Sequence, residues 1–286
     1  MANETELSNF IIKANEISAA IAPAFVDASV CMNLVHAETC SPDSNVIKFR
    51  KSGSLTAATL AESTAYTYSA SSELTDTSIT ATAVKAAVVS KLTVEAQRFG
   101  TSLASLDRLA AEQGRALARL FDDTVIALFT GFSQLVTATS TLTVDNLLDA
   151  QYTIFSGGVP PGRLCFVGHY KGVNELGKVA LNTNASAFTN PNFLDLIGQP
   201  KANNFKGSIA DIDVYQTSGH ATTGGDNRQA MFHPDLAFCC ALGGAFQTAI
   251  SPLLISTGFW TEVGSYFFFD VKEWNDLAGV EVRSDS

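Results

Sequence analysis

The sequence predicts an α+β protein in which helices and strands are interleaved along one chain. Three stretches carry the prediction: a helical stripe from Leu103 to Phe129, a Ser-, Thr- and Ala-rich stretch from Val46 to Val84 with strand-like ends, and an alternation of helix and strand between residues 143 and 250. A chain of 286 residues buries roughly 75% of its unfolded surface and divides into about two domains. Its 46% hydrophobic content rules out wholesale disorder, and its 16% charged content is well below the roughly one quarter of an average soluble domain.

At the N-terminus Leu7, Phe10, Ile11, Ala14, Ile17 and Ile21 share one helical face, which the sequence ends at Pro23. With no second helix near it in sequence, this segment must dock either on its own domain or as an arm on a neighbouring chain. Ala24 to Cys40 reads as extended. Next, Ile47 and Phe49 alternate with Lys48 and Arg50, and Ile79 to Val84 supplies a return strand beyond a polar tip around Gly53 to Glu62. Two strands with so little apolar volume are marginal in water, so the hairpin needs a surface to lie on. The alternative is a flexible loop, which Ser and Thr enrichment also marks.

The block AAVVSKLTVEAQRFG reads as a strand entering a short helical turn. Leu103, Leu106, Ala110, Leu117, Leu120, Phe121 and Leu128 then form the apolar stripe of a long helix, with Gly131 as its stop. Arg108, Glu112, Arg115 and Arg119 fall at i, i+4, i+7 and i+11 on another face, either solvated with intrahelical pairing or an interface stripe. Asp122 and Asp123 read as solvated or capping charges.

From residue 143 the expectation is a helix Asp145 to Phe155, a Gly157-Gly158-Val159-Pro160-Pro161 breaker, a strand Leu164 to Val167, and a helix through Leu176. A strand Ile209 to Tyr215 and a late helix Pro234 to Phe246 complete an inserted α/β unit. From about Leu253 the chain returns to strands, including Phe267-Phe268-Phe269 and Val271, so the first domain is expected to be discontinuous.

Eighteen basic against twenty-eight acidic residues give a formal charge of -10, which leaves no broad cationic surface for nucleic acid. The five cysteines, Cys31, Cys40, Cys165, Cys239 and Cys240, lack CxxC spacing, so no metal or redox site is expected and synthesis in a reducing cytosol is the simplest reading. Glu4 and Glu6 stand where a signal peptide would be basic, and the apolar block Ala237 to Phe246 is far short of the roughly 20 residues of a membrane span. A soluble protein with no membrane partner is expected. There is no GxSxG, GxxxxGK[ST], HExxH or strand-linked GxGxxG, and of the four histidines only His233 has an acid close by, Asp235. Thr222 to Asn227 (TTGGDN) lacks the lysine and helix of a phosphate cradle and reads as a turn. No enzyme activity, catalytic residue, cofactor or metal is expected.

Taken in order, these pieces resemble the tailed-bacteriophage major capsid protein family, the Hong Kong 97-like fold. The resemblance rests on the order of elements over nearly the whole chain: the N-terminal segment, the Val46 to Val84 hairpin, VVSKLTVEAQRF leading into Leu103 to Phe129, then GG-x-PPG, RLCFVG, NEL, GSIADIDVYQTS and HPDLAFCCAL. It implies an N-terminal arm at 1–44, an extended β-hairpin (E-loop) at 45–85 with Glu62 near its tip, a peripheral domain at 86–142 and 251–286 built on a long spine helix, and an inserted axial α/β domain at 143–250. The implied function is a self-assembling icosahedral head shell enclosing packaged double-stranded DNA, found in the virion after synthesis in the host cytoplasm.

The implied partners are copies of the same chain in hexamers and pentamers, a portal at one vertex and a cement or decoration protein. Because Met1 precedes the arm so closely, a separate scaffolding protein, or none, is expected in place of a fused one. The residues expected at contacts between subunits are Phe10, Ile11, Ile47, Lys48, Arg50, Lys51, Glu62, Arg108 and Arg115. Some family members join an E-loop lysine to an asparagine of a neighbour. Lys48 or Lys51 with Asn275 would be the pair here, but the sequence shows no activating surroundings and no cross-link is expected. Trimming the arm at Pro23 is expected to weaken particles and leave the subunit folded. The competing readings are an encapsulin-type nanocompartment shell, a soluble hydrolase with an unrecognised site, and a tail-tube or surface-binding β protein.

Overall fold

The structure is a computed structural model that describes residues 2–52, 76–93, 102–138, 141–182, 204–209, 211–217, 221–223, 226–251 and 260–285. The expected hairpin tip with Glu62 and the expected turn after Thr93 lie outside these residues.

Two sheets share one hydrophobic core. The first has five strands in the order β1 (His36–Thr39), β11 (Phe238–Leu242), β13 (Trp260–Glu273), β12 (Gln247–Ile250), with β4 (Val84–Thr93) also paired to β13. Along β13 every second residue, from Thr261 through Val263, Ser265, Phe267 and Phe269 to Val271, is buried, which is the period of a strand with one covered face. Two long helices cover it, α1 (Ala2–Ala28) and α2 (Ser102–Leu128). Phe25 of α1 meets Phe267 at 5.2 Å and Phe121 of α2 meets Phe269 at 5.2 Å. Gln113 of α2, also buried, spends its amide on Val263 O (3.0 Å) and Ser90 Oγ (3.1 Å) and accepts from Ser265 Oγ (2.6 Å).

The second sheet has the order β5 (Leu135–Thr137), β14 (Gly279–Asp285), β10 (Asp226–Phe232), β6 (Leu164–His169), β8 (Ile212–Thr217), β7 (Phe205–Ile209), with β9 (Ala221–Thr223) on β10. Helix α3 (Val144–Ser156) lies over β5, β14 and β10, and α4 (Tyr170–Asn182) lies over β6 and β8. Thr143 caps α3 through a capping box with Asn146.

Several expectations are corrected. The first helix does not stop at Pro23 but runs to Ala28, and Ala24 to Cys40 is helix, a 3-10 turn (Met32–Leu34) and β1 where extended chain was expected. Proline inside a helix costs about 3 kcal/mol. Here the apolar face continues through Ile17, Ile21 and Phe25, and Phe25 is enclosed by Phe121, Phe246 and Phe267, a burial that offsets most of the cost. Both alternatives for this segment had it docking; residues 14–28 dock on their own subunit.

HPDLAFCCAL is not a helix. Its apolar part is strand β11, buried on both faces, and a short apolar run gives no periodicity to separate the two. Ile209 to Tyr215 is two strands, β7 and β8, reversing at Asp211 with φ 65°. Leu120, placed on the buried stripe of the long helix, is 44% exposed, and Phe129 to Gly131 is a 3-10 turn. Sheet membership cuts across the division expected at residue 250: β11 and β12 pair with β13, whereas β14 joins the second sheet.

Candidate assembly surface

The hairpin is real at its base. β2 (Val46–Ser52) and β3 (Asp76–Thr82) pair antiparallel from Val46↔Thr82 to Ser52↔Asp76. Its inward face supplies Phe49 and Ala81, which close over Cys239 and Ala241 with Ile47, Ile79, Cys40 and Trp274 around them. This second small core explains why β11 is buried on both faces: Phe238 and Cys240 face the main core, and Cys239 and Ala241 face the hairpin. The Thr82 amide donates to Asp270 Oδ2 (2.9 Å), Lys51 Nζ donates to Asn275 Oδ1 (2.5 Å), and His36 stacks on Trp274 at 5.2 Å beside Phe49.

These contacts sort the expected contact residues. Ile47 is half-buried against the hairpin's own core, and Lys51 is held by Asn275 of the same chain. Lys48 and Arg50 are exposed on the outward face of β2. Arg108 and Arg115 are exposed on α2, and Arg115 pairs with Glu112 at 2.9 Å. Phe10 and Ile11 lie in α1 with side chains outside the described residues, as does Glu62 entirely.

The sequence reading missed Asp122. It is buried, and accepts from Ser29 Oγ (2.7 Å), Val30 N (2.9 Å) and Cys31 N (3.0 Å), so it ties the residues just past α1 to the C-terminal part of α2. Burial pushes its carboxyl above the ordinary aspartate range, and the Val30 and Cys31 amides and the Ser29 hydroxyl offset that only in part. The signal was available: Asp122 falls four residues after buried Ala118 and four before buried Ile126, on the helix's inner stripe. Asp123, by contrast, is exposed as expected.

Beside it, Arg115, Arg119, Asp122 and Asp123 border an open hollow of about 460 Å³ reaching Thr217. Its charges are of both signs and the Asp122 oxygens are engaged, so it offers neither a nucleophile with a base nor an apolar pocket. The His233–Asp235 pairing does not form a catalytic dyad: His233 Nδ1 accepts from the Asp235 amide at 3.3 Å. Cys239 and Cys240 are buried, on a strand where a helix was expected, and burial pushes both thiols up to about 12, away from the thiolate a nucleophile needs. Among the described residues no group of three His, Cys, Asp or Glu could hold a metal, and no helix is long and apolar enough to cross a membrane.

What this geometry offers is surface: a hairpin anchored at its base, cations on the hairpin's outer face, and the outer faces of long helices. No family model matches the sequence, and none of the curated proteins compared with it is similar enough to be a relative. Solved structures do match. The capsid of Ralstonia phage GP4 superposes with a TM-score of 0.65 at 10% identity, covering 88% of this chain and 87% of that one. A chain from Mycobacterium phage Che8 gives 0.63 at 15% identity, covering 89% and 90%. The head structure of Helicobacter pylori bacteriophage KHP40 gives 0.60 at 11% identity, covering 90% of each. The mixed α+β fold of this chain is thus the fold of tailed-phage capsid subunits over about nine-tenths of its length.

Proposed function

We propose that this chain is the major capsid protein of a tailed bacteriophage, a structural subunit that assembles with copies of itself into the icosahedral head enclosing packaged double-stranded DNA. The observation that carries the reading is the match to phage capsid and head structures over about nine-tenths of both chains. In this reading residues 1–44 form the N-terminal arm, β2 and β3 are the base of the extended hairpin (E-loop, 45–85), and α2 is the spine helix of a peripheral domain drawn from 86–142 and 251–286. Residues 143–250 form the inserted axial domain, with β11 and β12 lent to the peripheral sheet and β14 lent to the axial one.

The physics supports it. An extended hairpin and a helical arm gain further burial on neighbouring copies, and a closed shell consumes the strand edges that would otherwise aggregate. A net charge of -10 keeps the wall from gripping the genome. Lys48, Arg50, Arg108 and Arg115, with Phe10, Ile11 and Glu62, are the contact residues this reading favours. A separate scaffolding protein, a portal and a decoration protein are its further partners, and the virion is its place.

The test is expression followed by negative-stain microscopy of the wild type and of a variant in which 53–75 is replaced by a two-residue turn joining Ser52 to Asp76, which are already paired. The wild type should give closed particles. The variant should keep its circular dichroism and fail to close them. Normal shells from the variant would remove the hairpin from assembly, and a wild type that stays a dispersed monomer at high concentration would sink the reading.

A further inference from the structure

The layer of helices over the second sheet carries two solvent faces of opposite charge. On α3, Leu147, Ala150 and Ile154 seat the helix on the sheet, and Asp145, Leu148, Asp149 and Tyr152, spaced i, i+3, i+4 and i+7, are left outside. On α4, Val173 and Leu176 face the sheet, and Tyr170, Lys171, Asn174 and Lys178 are exposed. Tyr152 (75%) and Tyr170 (63%) are the two exposed aromatic residues among the described residues, and Leu148 is 39% exposed beside Tyr152. Tyrosine is the residue type that buried contacts between proteins favour, because its ring brings area and its hydroxyl tolerates water.

The exposed α3 face has two carboxylates and no cation. The exposed α4 face has two ammonium groups, and the one acid of that helix near it, Glu175, is turned aside to accept from the Leu142 amide at 3.1 Å.

We infer that the α3 face of one copy docks on the α4 face of a second copy; this deepens, and rests on, the reading of the chain as a shell subunit. Charge decides the occupant. An α3 face on an α3 face would oppose four carboxylates, and α4 on α4 would oppose four ammonium groups, whereas α3 on α4 pairs opposite signs around the two tyrosines. Position permits it. α3 sits over the β5, β14 and β10 half of the sheet and α4 over the β6 and β8 half, so the two faces are neighbouring but separate surfaces of one chain.

Two single substitutions, Tyr152→Cys and Asn174→Cys, made on separate full-length chains and mixed during assembly, test the contact under mild oxidation. The expected product is a disulfide dimer in the mixture that neither variant forms alone. In parallel, Asp145→Lys with Asp149→Lys, and Lys171→Glu with Lys178→Glu, should each lower particle yield about tenfold, and the four together should restore it to within about threefold. Circular dichroism checks that each variant is folded, and the cross-link stands even where a reversed variant is not.

Dimers formed by either cysteine variant alone, reversed variants that assemble like wild type, or no recovery in the fourfold variant would overturn the pairing. Wild-type shells without the mixed dimer would overturn the pairing alone; absence of both shells and dimer would overturn the shell reading with it.

Discussion

Asp122 shows how one side chain fixes the relation of two helices. Its two oxygens take three donors from the segment where α1 gives way to the 3-10 turn, in place of water that burial has removed. Asp122→Asn keeps the volume but turns an amide NH2 toward backbone donors, and should cost about 1–3 kcal/mol in urea unfolding of the assembly-deficient subunit. The pH dependence has a definite sign. The folded carboxyl titrates above the unfolded one, so the native state holds the proton more tightly, and this group's contribution is greatest at low pH and is lost as pH rises through the raised value. The stability gap between wild type and Asp122→Asn should therefore be larger at pH 4 than at pH 7; a gap that grows toward neutral pH would show the hydrogen bonds outweighing desolvation.

Two glycines set up an internal comparison at the level of elements. Gly114 lies within α2, where an added Cβ would sit 2.9 Å from both Ala24 Cβ and Ile21 O of α1. Ala there gains about 1 kcal/mol of helix propensity but forces the helices apart at a cost of about 1–3 kcal/mol. Gly114→Ala should lower Tm, whereas Gly177→Ala, on α4 with nothing within 4 Å, should raise it. Calorimetry on both variants decides whether close approach or propensity governs the glycine of α2. The hairpin base has its own test. Phe49→Ala removes the one fully buried ring of the small core and should cost about 3 kcal/mol. The loss should be local: β2 and β3 amides exchange faster, and Cys239, shielded in the wild type, becomes open to thiol reagents while the α1–α2 core stays protected.

Across the whole molecule, α1 holds core residues of its own chain along its second half, and the proposed arm role falls to the residues before them. Ile17, Ile21 and Phe25 are core residues, so trimming at Pro23 would remove two buried isoleucines and destabilise the fold by about 4 kcal/mol or more, contrary to the expectation from sequence that such a cut spares it. A chain beginning at Ala14 keeps all three. It should retain the wild-type Tm and lose particle yield, and sedimentation with thermal unfolding on both truncations separates the two roles. An unaltered particle yield from the shorter cut would leave residues 2–13 without a part in assembly.

Much of this fold was legible as pattern. The stripe along α2, the alternation along β2 and the order of elements follow from local periodicity, and the missing catalytic motifs and the charge of -10 turned attention from chemistry to surfaces. Contacts far apart in sequence were not legible. Phe25, 96 residues before Phe121 and 242 before Phe267, is what carries α1 past Pro23. Cys239 and Ala241 make a strand because a hairpin from residues 46–82 closes over their second face, and Lys51 meets Asn275 across 224 positions. Asp122 is buried because α1 lies on it, and the faces of α3 and α4 stand out as surfaces once the sheet has claimed their other sides. Periodicity says which side of an element seeks cover; which element provides it is settled by burial summed over the folded chain, a quantity that no short window of residues contains.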